Sequence, residues 1–204
     1  MRELTTYNRS LLHLLGLLGA WEKAPDDKAR AEVWNKAQRQ LWATPQAFVN
    51  GLSFLSGTPV MLDVCAEEDT AKAPKWFGVS SEHGEDGLHA LKQARRLVLP
   101  GGALWCNPPF IHKGNWADAL SDGEDRAFLN VPPSTDQHWF GDLHQNGRAW
   151  LSVIQGRMPY IPPEGVKSGS PNGPTVVWAI NFDYRPLPPV LNWRDVIRIG
   201  GGQA

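Results

Sequence analysis

The amino-acid sequence predicts an α/β fold: one sheet with helices on both faces and an antiparallel hairpin at its C-terminal end. Three observations carry this. Short apolar runs at residues 59–64, 103–106 and 127–131 read as buried strands. Segments of helical spacing separate them, which is the alternation of an α/β sandwich. A Pro/Gly/Ser-rich loop at 159–174 then divides two more strand-like runs, 149–154 and 175–182, which pair most simply as a hairpin around it.

The elements follow in order. Ser10 can cap a Leu-rich helix running to about Trp21, and Pro25-Asp26 opens a second in which Ala29, Val33, Ala37 and Leu41 recur every four residues. A third helical segment, 47–55, stops at Gly57 and gives way to the strand 59–64. Residues 67–87 are polar and irregular. Helical spacing returns at 87–99 through Leu88, Leu91 and Leu97, and Pro100-Gly101-Gly102 breaks it before the strand 103–106. After the strand 127–131, residues 135–143 read as a helix.

At 204 residues and 42% apolar content the chain can bury one ordinary core. The expected organisation is therefore a single domain over 1–204, with a helical cover at 1–42, a core at 43–182 and a tail at 183–204. The net charge of −1 leaves no overall field to attract a polyanion, so a nucleic-acid partner has to be held by local basic groups. The two cysteines, Cys65 and Cys106, fit a reduced, cytoplasmic protein, and neither lies in a Cys/His cluster of metal-binding spacing, so no metal is expected. The apolar stretch 11–18 is far short of the roughly 20 residues that span a membrane. The segment Leu18-Gly19-Ala20-Trp21 is also a poor signal-peptide cleavage site. Ten tryptophans could form a stacking platform for bases or sugars, but several sit inside apolar runs or helical seams, where core filling is the simpler role.

The strongest chemical signal is Asn107-Pro108-Pro109-Phe110, directly after a buried strand. A chance match to such a tetrapeptide is on the order of one in a thousand for a chain of this size. Two successive prolines remove two backbone donors, which leaves carbonyls free to face a cleft at the strand's carboxyl end, where ligands bind in open α/β sheets. An aromatic amine facing an electrophilic methyl needs positioning more than activation. The Asn107 side-chain oxygen and the Pro108 carbonyl can accept from such an amine, and Phe110 can stack on the base that carries it. The second signal is Leu62-Asp63-Val64-Cys65-Ala66, an acid that closes the other buried strand. A buried carboxylate needs hydrogen-bond partners, so Asp63 either binds a ligand or caps the following turn. No Gly-rich loop of the dinucleotide-binding type accompanies it, which disfavours nicotinamide and flavin cofactors.

The ordered set Trp42-Ala43-Thr44-Pro45-Gln46, Leu62-Asp63-Val64-Cys65-Ala66, Trp76-Phe77, Asp86-Gly87-Leu88, Trp105-Cys106-Asn107-Pro108-Pro109-Phe110, Val131-Pro132, Trp139-Phe140, Gly156-Arg157 and Ser170-Pro171 resembles the phage-type DNA N6-adenine methyltransferases. The likeness runs from about residue 42 to 182. It implies a Rossmann-like class I methyltransferase sheet and S-adenosylmethionine as cofactor, bound near Thr44, Pro45, Gln46, Asp63, Cys65 and Asp86. It also implies a target base at Asn107 to Phe110, double-stranded DNA as partner, and action in the cytoplasm, that of the host cell if the chain is phage-encoded. Lys113, Arg126, Arg157 and Lys167 are the candidates for phosphate contacts. Residues 121–126 form an acidic loop where a DNA-facing surface would be basic. The tetrapeptide alone also serves cytosine N4, RNA adenine and protein amide methyltransferases, and an inactive nucleic-acid-binding module could keep the fold. A Trp-rich carbohydrate-binding β-sandwich is opposed by the helices between the strands.

Overall fold

Three apolar segments, each buried on both faces, make the centre of the sheet, as expected of strands with helices above and below. The computed structural model describes residues 5–79, 81–83, 87–94, 97–98, 100–163 and 173–203. In chain order the elements are α1 (Thr6–Leu14), α2 (Leu18–Glu22), α3 (Asp27–Gln38), α4 (Gln46–Ser56), β1 (Val60–Asp63), β2 (Lys75–Trp76) and α5 (Gly87–Ala94). There follow β3 (Ala103–Cys106), a 3-10 turn (Phe110–His112), α6 (Lys113–Asp122), β4 (Ala127–Val131), α7 (His138–Gln145), β5 (Ala149–Gln155), β6 (Val176–Ile180), β7 (Val190–Asn192) and α8 (Trp193–Ile199).

The seven strands lie in the order β2-β1-β3-β4-β6-β5-β7. The strands β2, β1, β3 and β4 are mutually parallel, β6 is antiparallel to both β4 and β5, and β7 is parallel to β5. Alternation along each strand sorts its side chains to two faces. Leu62, Leu104, Cys106, Leu129, Val131 and Trp178 pack with Ala90 of α5, Trp116, Ala117 and Leu120 of α6, and Trp139 and Leu143 of α7. Ala103, Trp105, Phe128, Val177 and Ala179 pack on the other side with Phe48, Val49 and Leu52 of α4 and Trp193, Val196 and Ile197 of α8. The first three helices gather Leu11, Leu12, Leu15, Leu17 and Ala37 into a third, separate cluster. None of the ten tryptophans is exposed, and Trp105, Trp116, Trp139, Trp178 and Trp193 are buried and fill the core.

Several expected elements take a different form. The first helix is capped by Thr5, whose hydroxyl accepts from the backbone N–H of Asn8, and not by Ser10. It stops before Gly16, which adopts φ of 67°, so the expected single helix is two. The helix expected from 135 begins at His138, after a turn in which Gln137 N donates to Ser134 O. The short strand β2 and the helix α6 were not foreseen. In α6 the apolar residues Trp116, Ala117 and Leu120 make one narrow stripe in an otherwise polar segment. The supposed tail after 182 instead supplies β7 and α8, with Leu191, Trp193, Val196 and Ile197 in the core. Among the described residues, no helix is long and apolar enough to cross a membrane.

Candidate active site

The connections create the site. From β1 the chain moves outward to β2, then returns to place β3 on the opposite side of β1. The strand order therefore reverses between β1 and β3, and a crevice opens at their carboxyl ends. Asp63 is the last residue of β1 and pairs in register with Trp105, two residues before Asn107. A cavity of about 360 Å³ lies here, and Thr44, Asp63, Cys65, Asn107 and Pro109 all line it. Of the remaining sequence-predicted residues, Pro45 is the N-cap of α4, Gln46 its exposed first residue, Pro108 is buried, and Phe110 begins the half-buried 3-10 turn; these four do not line the cavity. Asp86 and Lys167 lie outside the described residues.

Asp63 is 2% exposed and its carboxylate is engaged by the loop that follows. One oxygen accepts from the backbone N–H of Cys65 at 3.2 Å and the other from that of Lys72 at 3.0 Å. The acid thus closes a loop over residues 64–72, the turn-capping role, and Cys65, Asp69 and Lys72 of that loop line the cavity beside it. Burial pushes its pKa up to about 7, although both backbone donors and the Lys72 charge oppose the rise. Gln46 supports the same loop by donating from Nε2 to the Lys72 carbonyl at 3.1 Å.

A Gly-rich loop is missing from the sequence, yet two separate glycines allow the same backbone approach. A Cβ at Gly78 would lie 1.7 Å from the Ala66 carbonyl oxygen, and one at Gly87 would lie 1.8 Å from that of Val64. Both glycines line the cavity. Only a residue without a side chain permits these contacts, and their spacing in sequence conceals them from motif reading.

The Asn107 amide is held at both ends. Its Nδ2 donates to the Trp42 carbonyl at 2.9 Å, and its Oδ1 accepts from Asn130 Nδ2 at 3.2 Å. Trp42 is in place because its neighbour Ala43 exchanges two backbone hydrogen bonds with Ile161, at 2.9 and 2.8 Å. Asn130 also donates toward Tyr160 Oη at 2.9 Å and Thr44 Oγ1 at 3.3 Å. Burial pushes the Tyr160 phenol up to about 12, so it stays protonated. Asn130, Tyr160 and Trp42 were missed in the sequence. Asn130 had a legible signal, since it is the one polar residue in an apolar strand, as Asp63 is in its own.

The N-terminal helices contribute a wall. Leu11, Leu14 and Leu15 line the cavity, and Gln40 Oε1 accepts from the Ile111 backbone N–H at 3.3 Å just beyond the tetrapeptide. Lys113 follows the 3-10 turn, with Nζ 3.5 Å from the Phe110 carbonyl, and Arg157 is exposed past the end of β5 that shares the orientation of β3. Arg126 departs from expectation. It precedes β4 at the amino end of the sheet, away from the cavity, with its guanidinium over the Phe182 ring at 5.4 Å. The acidic 121–126 loop belongs to that far end too. Asn181 clamps it there, with Nδ2 donating to the carbonyls of Leu120, Gly123 and Asp125.

Comparison with curated proteins and with solved structures finds no match. A family model does match, over residues 32–192. That span begins ten residues before the ordered motifs and extends past Phe182 through β7, so it takes in the paired strand ends, both cradle glycines and Asn107-Pro108-Pro109-Phe110. The chain belongs to the DNA N-6-adenine-methyltransferase (Dam) family.

Proposed function

We propose that the chain transfers the methyl group of S-adenosylmethionine to the exocyclic N6 amine of adenine in double-stranded DNA, working in the cytoplasm. The observation that carries this reading is the shared cavity at the carboxyl ends of β1 and β3, lined by Asp63, Asn107 and Pro109. The parallel β2-β1-β3-β4 half, the helices on both faces and the reversed strand β6 favour the Rossmann-like class I sheet, with β5 and β6 as its antiparallel C-terminal pair.

The residues present suit the cofactor. A cavity of about 360 Å³ is within the range of small-molecule sites. Gly78 and Gly87 pack directly on the carbonyls of Ala66 and Val64 and so hold the loop after β1 in place, and the lining mixes polar Thr44, Asp69 and Lys72 with apolar Phe77 and Leu88. In this reading Thr44, Cys65 and Asp86 hold the cofactor. Asp63 supports it through the loop that it closes, and Pro45 and Gln46 do so through the start of α4. The bound cofactor supplies an electrophilic methyl on a sulfonium. Asn107 Oδ1 and the Pro108 carbonyl accept from the target amine and aim its lone pair, while Phe110 stacks on the extruded base. Pro108 and Pro109, lacking N–H groups, keep competing donors out. Lys113 and Arg157, on the face of the cavity, contact DNA phosphates.

The experiment is incubation with labelled cofactor and duplex DNA, followed by nucleoside analysis. Label in N6-methyladenine is expected. Asn107→Ala abolishes transfer while cofactor affinity stays within a few-fold, and Phe110→Ala is impaired without being inactive. Label in N4-methylcytosine would replace adenine as the target, and label only in RNA or protein would remove DNA as the substrate.

A further inference from the structure

The strand β4 reads Ala127-Phe128-Leu129-Asn130-Val131, and every residue except Asn130 is apolar and buried. Asn130 is 0% exposed, and among the described residues its Oδ1 has no hydrogen-bond partner. An unpaired buried carbonyl is a cost that valine or leucine at this position would not incur, so stability alone does not account for an asparagine here.

The polarity of its contacts does account for one. The Trp42 carbonyl can only accept, so the group facing it must be Asn107 Nδ2, at 2.9 Å. This turns Asn107 Oδ1 toward Asn130, and an amide oxygen can be met only by a donor. Asn130 must therefore present Nδ2, which it does at 3.2 Å. With one hydrogen of this Nδ2 on Asn107 Oδ1, the other is shared between Tyr160 Oη at 2.9 Å and Thr44 Oγ1 at 3.3 Å. One backbone carbonyl thus sets the orientation of two side-chain amides in series. The orphaned Oδ1 is the consequence of that forced direction.

We propose that Asn130 is a positioning residue for methyl transfer, donating to one lone pair of Asn107 Oδ1 so that the other faces the target amine in the cavity. The inference rests on the reading given under Proposed function and adds a residue that touches neither cofactor nor base. Asn130 acts on the orientation of the acceptor, so it governs turnover and not cofactor binding.

The test uses the full chain with Asn130→Leu and Asn130→Asp. In Asn130→Leu the single-turnover rate falls about 10- to 100-fold, while the dissociation constant for S-adenosylmethionine stays within about two-fold. A Leu variant with a rate within two-fold of wild type overturns the proposal. A fall in rate that is matched by lost cofactor binding overturns it too, since that is a merely structural effect. Asn130→Asp, nearly isosteric, keeps the test open if the Leu variant does not fold. Only the protonated carboxyl has an O–H to donate, so the ratio of variant to wild-type rate should rise as pH falls. Burial holds the Tyr160 phenol up to about 12, Thr44 and the Thr175 hydroxyl that hydrogen-bonds Tyr160 do not titrate, and Asp63 and Cys106, both raised by burial, are present in wild type and variant alike. A pH-independent ratio overturns the proposal. If wild type methylates no DNA, the proposed activity fails while the link is still decided by NMR. The Asn107 side-chain NH2 protons should exchange with solvent faster in either variant at pH 8 than in wild type, and unchanged exchange overturns the link.

Discussion

Asn in place of Asp63 separates the two roles of this acid, hydrogen-bond acceptor and buried charge. In the folded protein burial raises its pKa from 3.8 to about 7. The folded state therefore holds a proton that the unfolded state has released between about pH 4 and pH 7, and stability falls as pH rises through that window. At about 1.4 kcal/mol per pH unit, the loss contributed by Asp63 is on the order of 4 kcal/mol by pH 7. Asp63→Asn removes this dependence but keeps only one acceptor for the N–H groups of Cys65 and Lys72, a loss of about 1–3 kcal/mol. The variant should thus be less stable than wild type at pH 4.5 and equal or more stable at pH 8. Urea unfolding of both proteins at four pH values across that range measures the difference, and other titrating groups cancel in it. A difference that does not change with pH would refute the argument that Asp63 folds protonated. Asp63→Ala leaves two backbone donors without acceptors, so its effect on cofactor binding would come through the displaced 64–72 loop.

The cradle glycines give a second expectation. Gly78→Ala and Gly87→Ala each push the loop after β1 and should cost about 1–3 kcal/mol in thermal unfolding, with weakened cofactor binding. Gly19→Ala, with nothing within 4 Å of the new Cβ, is the control; equal effects at all three would undo the close-approach argument. Thiol chemistry gives a third. Neither cysteine is in a disulfide, Cys65 being half-buried and Cys106 buried, with burial holding the Cys106 thiol well above its usual pKa. The unfolded protein without reductant should titrate two thiols, and the native protein should react first at Cys65. Simultaneous reaction of both would show that the 103–106 strand is more accessible than its packing implies.

Legibility in the sequence followed local determinism. The segments that became β3, β4 and β6 were readable because a strand buried on both faces must be continuously apolar, β1 and β5 because their short apolar runs are bounded by turn residues, and α3 and α4 announced themselves through Asp26 and Gly57. The two-residue strand β2 has no periodicity to read. The strand β7 and helix α8 were hidden because Pro186, Pro188 and Pro189 make the approach to them look like a tail. At the site, Asn107 and Asp63 could be found because each stands at the end of an apolar run. What escaped was everything held together by distance in sequence. Trp42 and Asn107 are 65 residues apart, and Tyr160 and Asn130 are 30 apart. Gly78 and Gly87 meet the β1 loop from separate segments. Arg126 was misplaced because a loop residue's end of the sheet depends on strand direction, which spacing does not reveal.

The separate cluster formed by α1, α2 and α3 puts part of the cavity wall outside the span that the family model matches. The family match starts at residue 32, but Leu11, Leu14 and Leu15 precede it and still form part of the cavity lining. The matched span therefore covers the floor, while this part of the wall lies outside it. A small molecule built only on the floor would contact the matched span alone. One extended with an apolar arm against these three leucines would discriminate, because it would reach a surface that the shared span does not encode.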